Sequence, residues 1–284
     1  MTDAALLEVS GLSKRFGGLT VVDDVSFQLH AGEVLSIVGP NGSGKTTTLN
    51  MICGTLPADA GTVVLDGERI SGRKAYRIAE KGLTRTFQNG RVIGNLTIAE
   101  NVLVGLEPVQ RVGRPLPRLR HIVGIRWIPL LAETFGALFP SRARRRQDAV
   151  DRAHVVAELD RFGTRLAPRV EDYAYSLSYA NRRRTEIARA LVSGPRVLVL
   201  DEPTAGMNQT ETGEVLQQLQ ELKRRGQTVL LVEHKLDLVF RLSDRVLVLD
   251  EGRVIAHGTP DEVRRDPRVI EAYLGKAFAE AGSE

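Results

Sequence analysis

The sequence predicts an α/β fold with a mostly parallel sheet core, an antiparallel β-rich N-terminal part and an α-helical subdomain. Two observations predict it. In the second half of the chain, short apolar runs alternate with stretches of helical periodicity, which is typical of a parallel, doubly wound sheet. Near the N-terminus, apolar and polar residues alternate over 21–29, and 61–70 has the pattern of a hairpin that turns at Asp66-Gly67.

Each element follows from local composition. The apolar, β-branched runs predict strands over 6–9, 21–29, 34–38, 61–70 (as the hairpin), 197–200, 229–232 and 246–249. Good helix formers with helical spacing predict helices over 75–81, 97–104, 147–162, 178–192, 210–225 and 236–242. The helix at 97–104 begins with a capping box, in which Thr97 and Glu100 satisfy each other's backbone N–H groups.

Composition narrows the class of protein. The chain has 284 residues, of which 42% are hydrophobic and 26% charged, and we expect a single globular unit over 1–284. The one cysteine, Cys53, excludes an intramolecular disulfide and is compatible with a reducing compartment. There is no run of 18 apolar residues, and the first ten residues lack a signal-peptide pattern. We therefore expect a cytoplasmic protein.

Residues 106–146 form a basic, proline-rich insert. They contain nine arginines against Glu107 and Glu133, and five of the twelve prolines. Apolar residues at helical spacing predict a short helix between Pro129 and Pro140. Two interpretations stay open: the helix packs on its own domain, or it forms a surface for a membrane partner or anionic headgroups. The arginines lack interleaved aromatics, so no nucleic-acid partner is expected.

The octet GPNGSGKT at 39–46 fits the phosphate-binding pattern GxxxxGK[ST] at every position. Glycines allow consecutive N–H groups to point at phosphate oxygens, and the helix that follows presents its positive end to the same anion. Lys45 can reach the β- and γ-phosphates, and the Thr46 hydroxyl can ligate Mg²⁺. The predicted nucleotide-binding residues are Gly39, Pro40, Asn41, Gly42, Ser43, Gly44, Lys45, Thr46 and Thr47.

Three further polar residues follow apolar strands. The run 197–200 ends in Asp201, which we expect to hold Mg²⁺, and in Glu202, which is placed to polarise an attacking water. His234 comes soon after the strand at 229–232, where ligands of parallel sheets bind, and we expect it to bond the γ-phosphate and the catalytic water. The alternatives are plain surface acids and a structural histidine.

Six segments in this order resemble the ATP-binding cassette (ABC) family. They are GPNGSGKT (39–46), TFQN (86–89), LSYANRRRTEIARAL (177–191), VLVLDEP (197–203), AGMN (205–208) and VEH (232–234). The resemblance covers nearly the whole chain. It implies a P-loop NTPase fold of ABC type, ATPase activity with ATP and Mg²⁺ as cofactors, a helical subdomain over about 90–193 and a C-terminal tail over about 258–284.

The resemblance also implies roles for single residues. Phe16 resembles the aromatic that stacks on adenine, although a plain core role is the alternative. Gln88 resembles the residue that touches Mg²⁺ and the attacking water, and we group it with Glu202 and His234 as catalytic. Ser178 resembles the signature serine, which caps the γ-phosphate bound by a second cassette and so acts in trans.

The segments 12–27, 82–89, 126–129 and 232–275 resemble the ATPases of branched-chain amino-acid importers. This implies two transmembrane permease subunits, a second ABC ATPase and, indirectly, an extracytoplasmic solute-binding protein as partners. It also implies a cytoplasmic position, peripheral on the inner face of the cell membrane. Urea or short-amide importers, lipopolysaccharide exporters and the soluble iron–sulfur assembly ATPases stay open as alternatives.

The signature departs from the family pattern. Ala180 stands where a glycine is usual, and Asn181 stands where glutamine is usual. An alanine methyl there is expected to hinder the approach of the partner's nucleotide. Because Lys45, Asp201 and Glu202 are intact, we expect a heterodimer with one strong and one weak site.

Overall fold

The computed structural model describes residues 5–86, 92–106 and 142–273. It contains two β-sheets. Their strands are β1 (Ala5–Phe16), β2 (Leu19–His30), β3 (Val34–Val38), β4 (Ala60–Leu65), β5 (Glu68–Arg69), β6 (Leu83–Arg85), β7 (Val197–Asp201), β8 (Thr228–Val232), β9 (Arg245–Asp250) and β10 (Arg253–Gly258).

The first sheet is antiparallel and has the order β2-β1-β4-β5. The second has the order β10-β9-β3-β8-β7-β6 and is parallel except for β10, which pairs antiparallel with β9. Strands β3, β7 and β8 are buried at every position, as expected of parallel strands covered on both faces. The predicted combination of a mostly parallel core with an antiparallel N-terminal part is confirmed.

The helices pack on these sheets or, as the fourth does, on other helices. They are α1 (Lys45–Ile52), α2 (Ala75–Glu80), α3 (Ile98–Leu103), α4 (Arg142–Asp160), α5 (Tyr179–Leu191), α6 (Gln209–Arg224), α7 (Leu236–Leu242) and α8 (Pro260–Arg265). Residues 267–273 are also helical. The predicted capping box of Thr97 and Glu100 is present at α3, and α6 and α8 begin with further capping boxes.

The parallel sheet separates two hydrophobic clusters. Alternate residues of its strands, such as Leu198 and Leu200, pack with the helical part formed by α3 to α6. The residues between them, such as Val197 and Val199, pack with α1 and the antiparallel sheet. This alternation places α5 and α1 on opposite faces of one sheet. Among the described residues, no helix is both long and apolar enough to cross a membrane.

Several elements differ from the prediction. The unpredicted β6 is only three residues long and pairs with β7 alone, so it has no periodicity of its own. The unpredicted β10 follows a tight turn at Glu251-Gly252, where both residues have positive φ angles. Helix α4 begins at Arg142, five residues before the predicted start. The helix predicted between Pro129 and Pro140 lies outside the described residues, as does most of the insert.

Candidate functional site

The glycine-rich loop joins the end of β3 to α1. Gly39, Gly42 and Gly44 have φ angles of 153°, 80° and 96°, which L side chains rarely adopt. A Cβ atom at Gly39 would lie 2.0 Å from the carbonyl oxygen of Leu249, and one at Gly44 would lie 2.6 Å from the carbonyl oxygen of Val21. The loop therefore requires glycine at two positions for space as well as for conformation.

Lys45 lies across the inside of this loop. Its Nζ donates to the carbonyl oxygens of Gly39, at 2.7 Å, and Pro40, at 2.8 Å, and its side chain is buried. Thr46 and Thr47 are half-buried in the first turn of α1, while Asn41 is exposed on the outside of the loop. The cation is thus held against the loop backbone, and in loops of this sequence pattern the backbone N–H groups and the lysine bind phosphate.

Asp201 ends β7 and is fully buried. Its Oδ2 accepts a hydrogen bond from Arg85 Nη2 at 2.7 Å, and Arg85 Nη1 donates to Asn50 Oδ1 on α1 at 2.6 Å. The other carboxylate oxygen, Oδ1, and the buried Ser43 Oγ make no hydrogen bond within the described part of the chain. Buried oxygens are normally paired, and carboxylate and hydroxyl oxygens are the ligands that Mg²⁺ prefers. The Asp201 carboxylate therefore fits a magnesium ion, and the Ser43 hydroxyl of the glycine-rich loop fits a phosphate oxygen.

The free cysteine lies near this cluster, beside Arg85 and Asp201. Burial, against the opposing effect of the Arg85 charge, raises the pKa of the Cys53 thiol to about 12. The thiol stays protonated near neutral pH, so Cys53 has the character of a structural residue and not of a nucleophile.

Glu202 and His234 follow the neighbouring strands β7 and β8. Because β3, β8 and β7 are adjacent and parallel, the loop at 39–46, His234 and Glu202 all lie at the same edge of the sheet. Glu202 has a left-handed backbone with φ 46°, and its N–H donates to the carbonyl oxygen of Val232 at 2.8 Å. The His234 side chain is about half exposed. The structure thus brings the predicted residues of 39–46, Asp201, Glu202 and His234 to one edge.

Residues that were not predicted from the sequence hydrogen-bond the backbone at this edge of the sheet. Arg183 of α5 is buried and donates to the carbonyl oxygens of Asp201 and, at 2.9 Å, of Glu202. Glu233 and Lys235 hold the segment that follows Glu202. In the sequence, this network is indicated by a charged residue, Glu233, that directly follows the apolar run 229–232.

Phe16 ends β1 and is 49% exposed, with Lys14 Nζ 5.5 Å from the centre of its ring. This exposure contradicts the alternative of a plain core residue, and a ring with an open face is able to stack on a base. Gln88, predicted to contact Mg²⁺ and the attacking water, lies outside the described residues.

Ser178 is the N-cap residue of α5 and is exposed, and its Oγ accepts from the N–H of Asn181 at 3.4 Å. Tyr179 is exposed beside it. Ala180 is only 1% exposed and packs in the chain's own core, so the expectation that its methyl group hinders a partner's nucleotide is corrected. Asn181 is also buried, with Oδ1 bound by Arg184 Nη1 at 2.7 Å.

Comparisons with known proteins agree with this geometry. The profile described as ABC transporter matches residues 22–205, and the profile described as branched-chain amino acid ATP-binding cassette transporter matches 253–279. The high-affinity branched-chain amino acid transport ATP-binding protein LivG of Escherichia coli K12 is 38% identical over 275 residues, which is 96% of this chain and 98% of LivG. The corresponding protein BraF of Pseudomonas aeruginosa is 39% identical over 276 residues, covering 96% of this chain and 98% of BraF.

Solved structures show the same fold. An ATP-binding cassette of an ABC transporter, crystallised in its ADP conformation, has a TM-score of 0.77 and 29% identity, covering 96% of this chain and 99% of that one. A nucleotide-free cassette structure has a TM-score of 0.75 and 29% identity, covering 95% and 99%.

Proposed function

This chain belongs to the ABC transporter family and has the fold of its ATPases, and we propose that it is the ATP-hydrolysing subunit of an importer for branched-chain amino acids. The observation that carries the proposal is the full-length similarity to LivG and BraF together with the profile match at 253–279. The carboxyl-end arrangement of Lys45, Asp201, Glu202 and His234 supports the ATPase part independently.

We assign the chemistry to residues as follows. The backbone N–H groups within 39–46 and Lys45 bind the phosphates, and Phe16 stacks on adenine. Thr46, Asp201 and Gln88 would hold Mg²⁺, which would neutralise the negative charge that develops on the phosphate oxygens. Glu202 takes the proton of the water whose oxygen bonds to the γ-phosphorus, while the bond from that phosphorus to the β–γ bridging oxygen breaks and ADP leaves. His234 donates a hydrogen bond to a γ-phosphate oxygen. The exposed N-terminus of α5 offers Ser178 to the γ-phosphate of a partner cassette, where the helix dipole favours an anion.

The proposed assembly contains two transmembrane permease subunits and a second cassette, with a solute-binding protein acting outside the cell. The chain would then lie in the cytoplasm against the inner face of the membrane. We retain the heterodimer as a proposal that rests on the departure of the signature from the family pattern; the buried Ala180 and Asn181 give it no steric argument. The profile match at 253–279 supports an amino-acid importer over the urea, lipopolysaccharide and iron–sulfur alternatives.

Affinity purification from detergent-solubilised membranes tests this proposal. We expect two permeases and a second cassette to co-purify with the chain. When the complex is reconstituted in vesicles with its binding protein, leucine should stimulate ATP hydrolysis several-fold, and the Glu202→Gln complex should show no stimulation. Co-purification of soluble scaffold proteins without a permease would contradict the importer, and stimulation by urea but not leucine would contradict the cargo.

A further inference from the structure

The two residues that flank the candidate phosphate sensor His234 are bound to the segment that follows Glu202. Glu233 is fully buried, and its Oε1 accepts from the N–H of Thr204, at 3.1 Å, and from the Thr204 hydroxyl. Its Oε2 accepts from the N–H of His234 at 2.9 Å and of Lys235 at 3.3 Å. One carboxylate therefore joins the turn after β7 to the turn after β8.

Lys235 makes a second connection between the same two turns. Its Nζ donates to the carbonyl oxygens of Thr204, at 3.1 Å, and Met207, at 3.2 Å, and to the Thr212 hydroxyl at 2.9 Å. The ammonium group thus binds both ends of residues 204–207 and the first turn of α6. Three acceptors match the three donors of a lysine, so this geometry uses its full hydrogen-bonding capacity.

Residues 204–207 contact Glu202 and the signature helix directly, and they are connected to His234 through Glu233. The N–H of Ala205 donates to the carbonyl oxygen of Glu202 at 3.2 Å. A Cβ atom at Gly206 would lie 3.4 Å from the ring of Tyr179, so the signature helix α5 lies against the same segment. On the other side, Nδ1 of His234 is 3.6 Å from Glu233 Oε2. A displacement of 204–207 would therefore change the position of Glu202 relative to His234.

We propose that Lys235 is a positioning residue that sets the placement of Glu202 relative to His234 by binding residues 204–207. This inference rests on the proposed roles of those two residues. Lys235 holds backbone carbonyls and not the nucleotide, so its loss should lower the rate of hydrolysis and leave ATP binding unchanged. Glu233 is buried and makes the other connection between the same two turns, since both of its carboxylate oxygens accept hydrogen bonds.

The test compares three lysine variants in the purified complex. Lys235→Met removes all three hydrogen-bond donors and keeps an unbranched side chain of similar length. Lys235→Arg keeps a positively charged side chain that can donate hydrogen bonds. Lys223→Met is the matched control, because Lys223 also donates to a backbone carbonyl, that of Leu242 at 2.9 Å, and pairs with Asp244, but it lies in the last turn of α6.

We expect Lys235→Met to lower kcat about tenfold, with the KM for ATP and the Kd of a fluorescent ATP analogue changed less than about twofold. Lys235→Arg should recover kcat to within about threefold of the natural chain, and Lys223→Met should stay within about twofold. An unchanged kcat in Lys235→Met, a parallel loss of nucleotide binding, or an equal loss in Lys223→Met would each overturn the positioning role. Absence of hydrolysis by the unmodified complex would instead reject the proposed function, and this inference with it.

Discussion

Two regions of the molecule differ in how completely their polar side-chain atoms are hydrogen-bonded within the chain. They are the nucleotide cradle, defined as residues 39–46 with Asp201, and the start of the signature helix α5. In the cradle, Ser43 Oγ and Asp201 Oδ1 are buried without a hydrogen-bond partner in the described structure. At α5, the Ser178 hydroxyl caps its own helix, and Arg184 binds Asn181. The cradle thus has two buried oxygens that a ligand can pair with, whereas Ser178 and Asn181 at the start of α5 are hydrogen-bonded within the chain and Ser178 is exposed.

The difference has an energetic meaning. A buried polar atom without a partner costs about 1–3 kcal/mol, and a bound ligand that pairs with it recovers that cost. We therefore expect pairing of these two oxygens of the cradle to contribute to nucleotide affinity. The Ser178 hydroxyl is already paired within its own helix and is exposed, so it can be presented to a ligand that is bound by another subunit.

The largest expected effects separate ATP binding, which depends on the cradle, from ATP hydrolysis, which also depends on Glu202 beside it. Glu202→Gln keeps the shape of the side chain but removes the base, so we expect hydrolysis to fall by more than about 100-fold while ATP still binds. Lys45→Met removes the cation from the loop, and both binding and hydrolysis should be lost. Measuring nucleotide affinity and turnover for both variants checks this, and a Glu202→Gln protein that no longer binds ATP would contradict the assignment.

The next effect tests the signature helix. Ser178→Arg places a large side chain on the exposed N-terminus of α5, so hydrolysis by the assembled complex should fall by about 10- to 100-fold. The affinity of the isolated chain for ATP should not change, because Ser178 is expected to serve the partner's nucleotide. Ser10→Arg, at an exposed serine of the antiparallel sheet, is the matched control. Loss of ATP affinity in the isolated Ser178→Arg chain would contradict a role in trans.

The sequence predicts those parts of the molecule whose structure depends on residues that are neighbours along the chain. The loop at 39–46 depends on glycines within one octet, and β3 and β8 depend on short runs that are mostly apolar and β-branched, so all three are predictable from the sequence. Arg85 binds Asn50 and Asp201, which are 35 and 116 positions away in the sequence. Lys235 likewise binds the distant residues 204–207. No local pattern encodes such pairs, because topology brings them together only after the sheet forms.

The burial of Ala180 shows the same limit in one residue. Sequence comparison predicts a methyl group facing the partner, but a residue in the first turn of a helix can face either the core or the outside, and here it faces the core. Local sequence therefore located the signature but did not determine which way the Ala180 side chain points.

The smallest effect concerns the Ala180 methyl group. It bears on whether the dimer has one strong and one weak ATP site or two equal ATP sites. Ala180→Gly should not raise hydrolysis by the assembled complex, and the rate should stay within about twofold, because the methyl group lies in the chain's own core. The free energy of unfolding should fall by about 0.5–1 kcal/mol, since glycine is less favourable within a helix. ATP turnover and thermal unfolding of the same preparations measure both effects. A rise in turnover of several-fold would instead show that the methyl group limits the approach of the partner, and it would restore the steric argument for a heterodimer with one weak site.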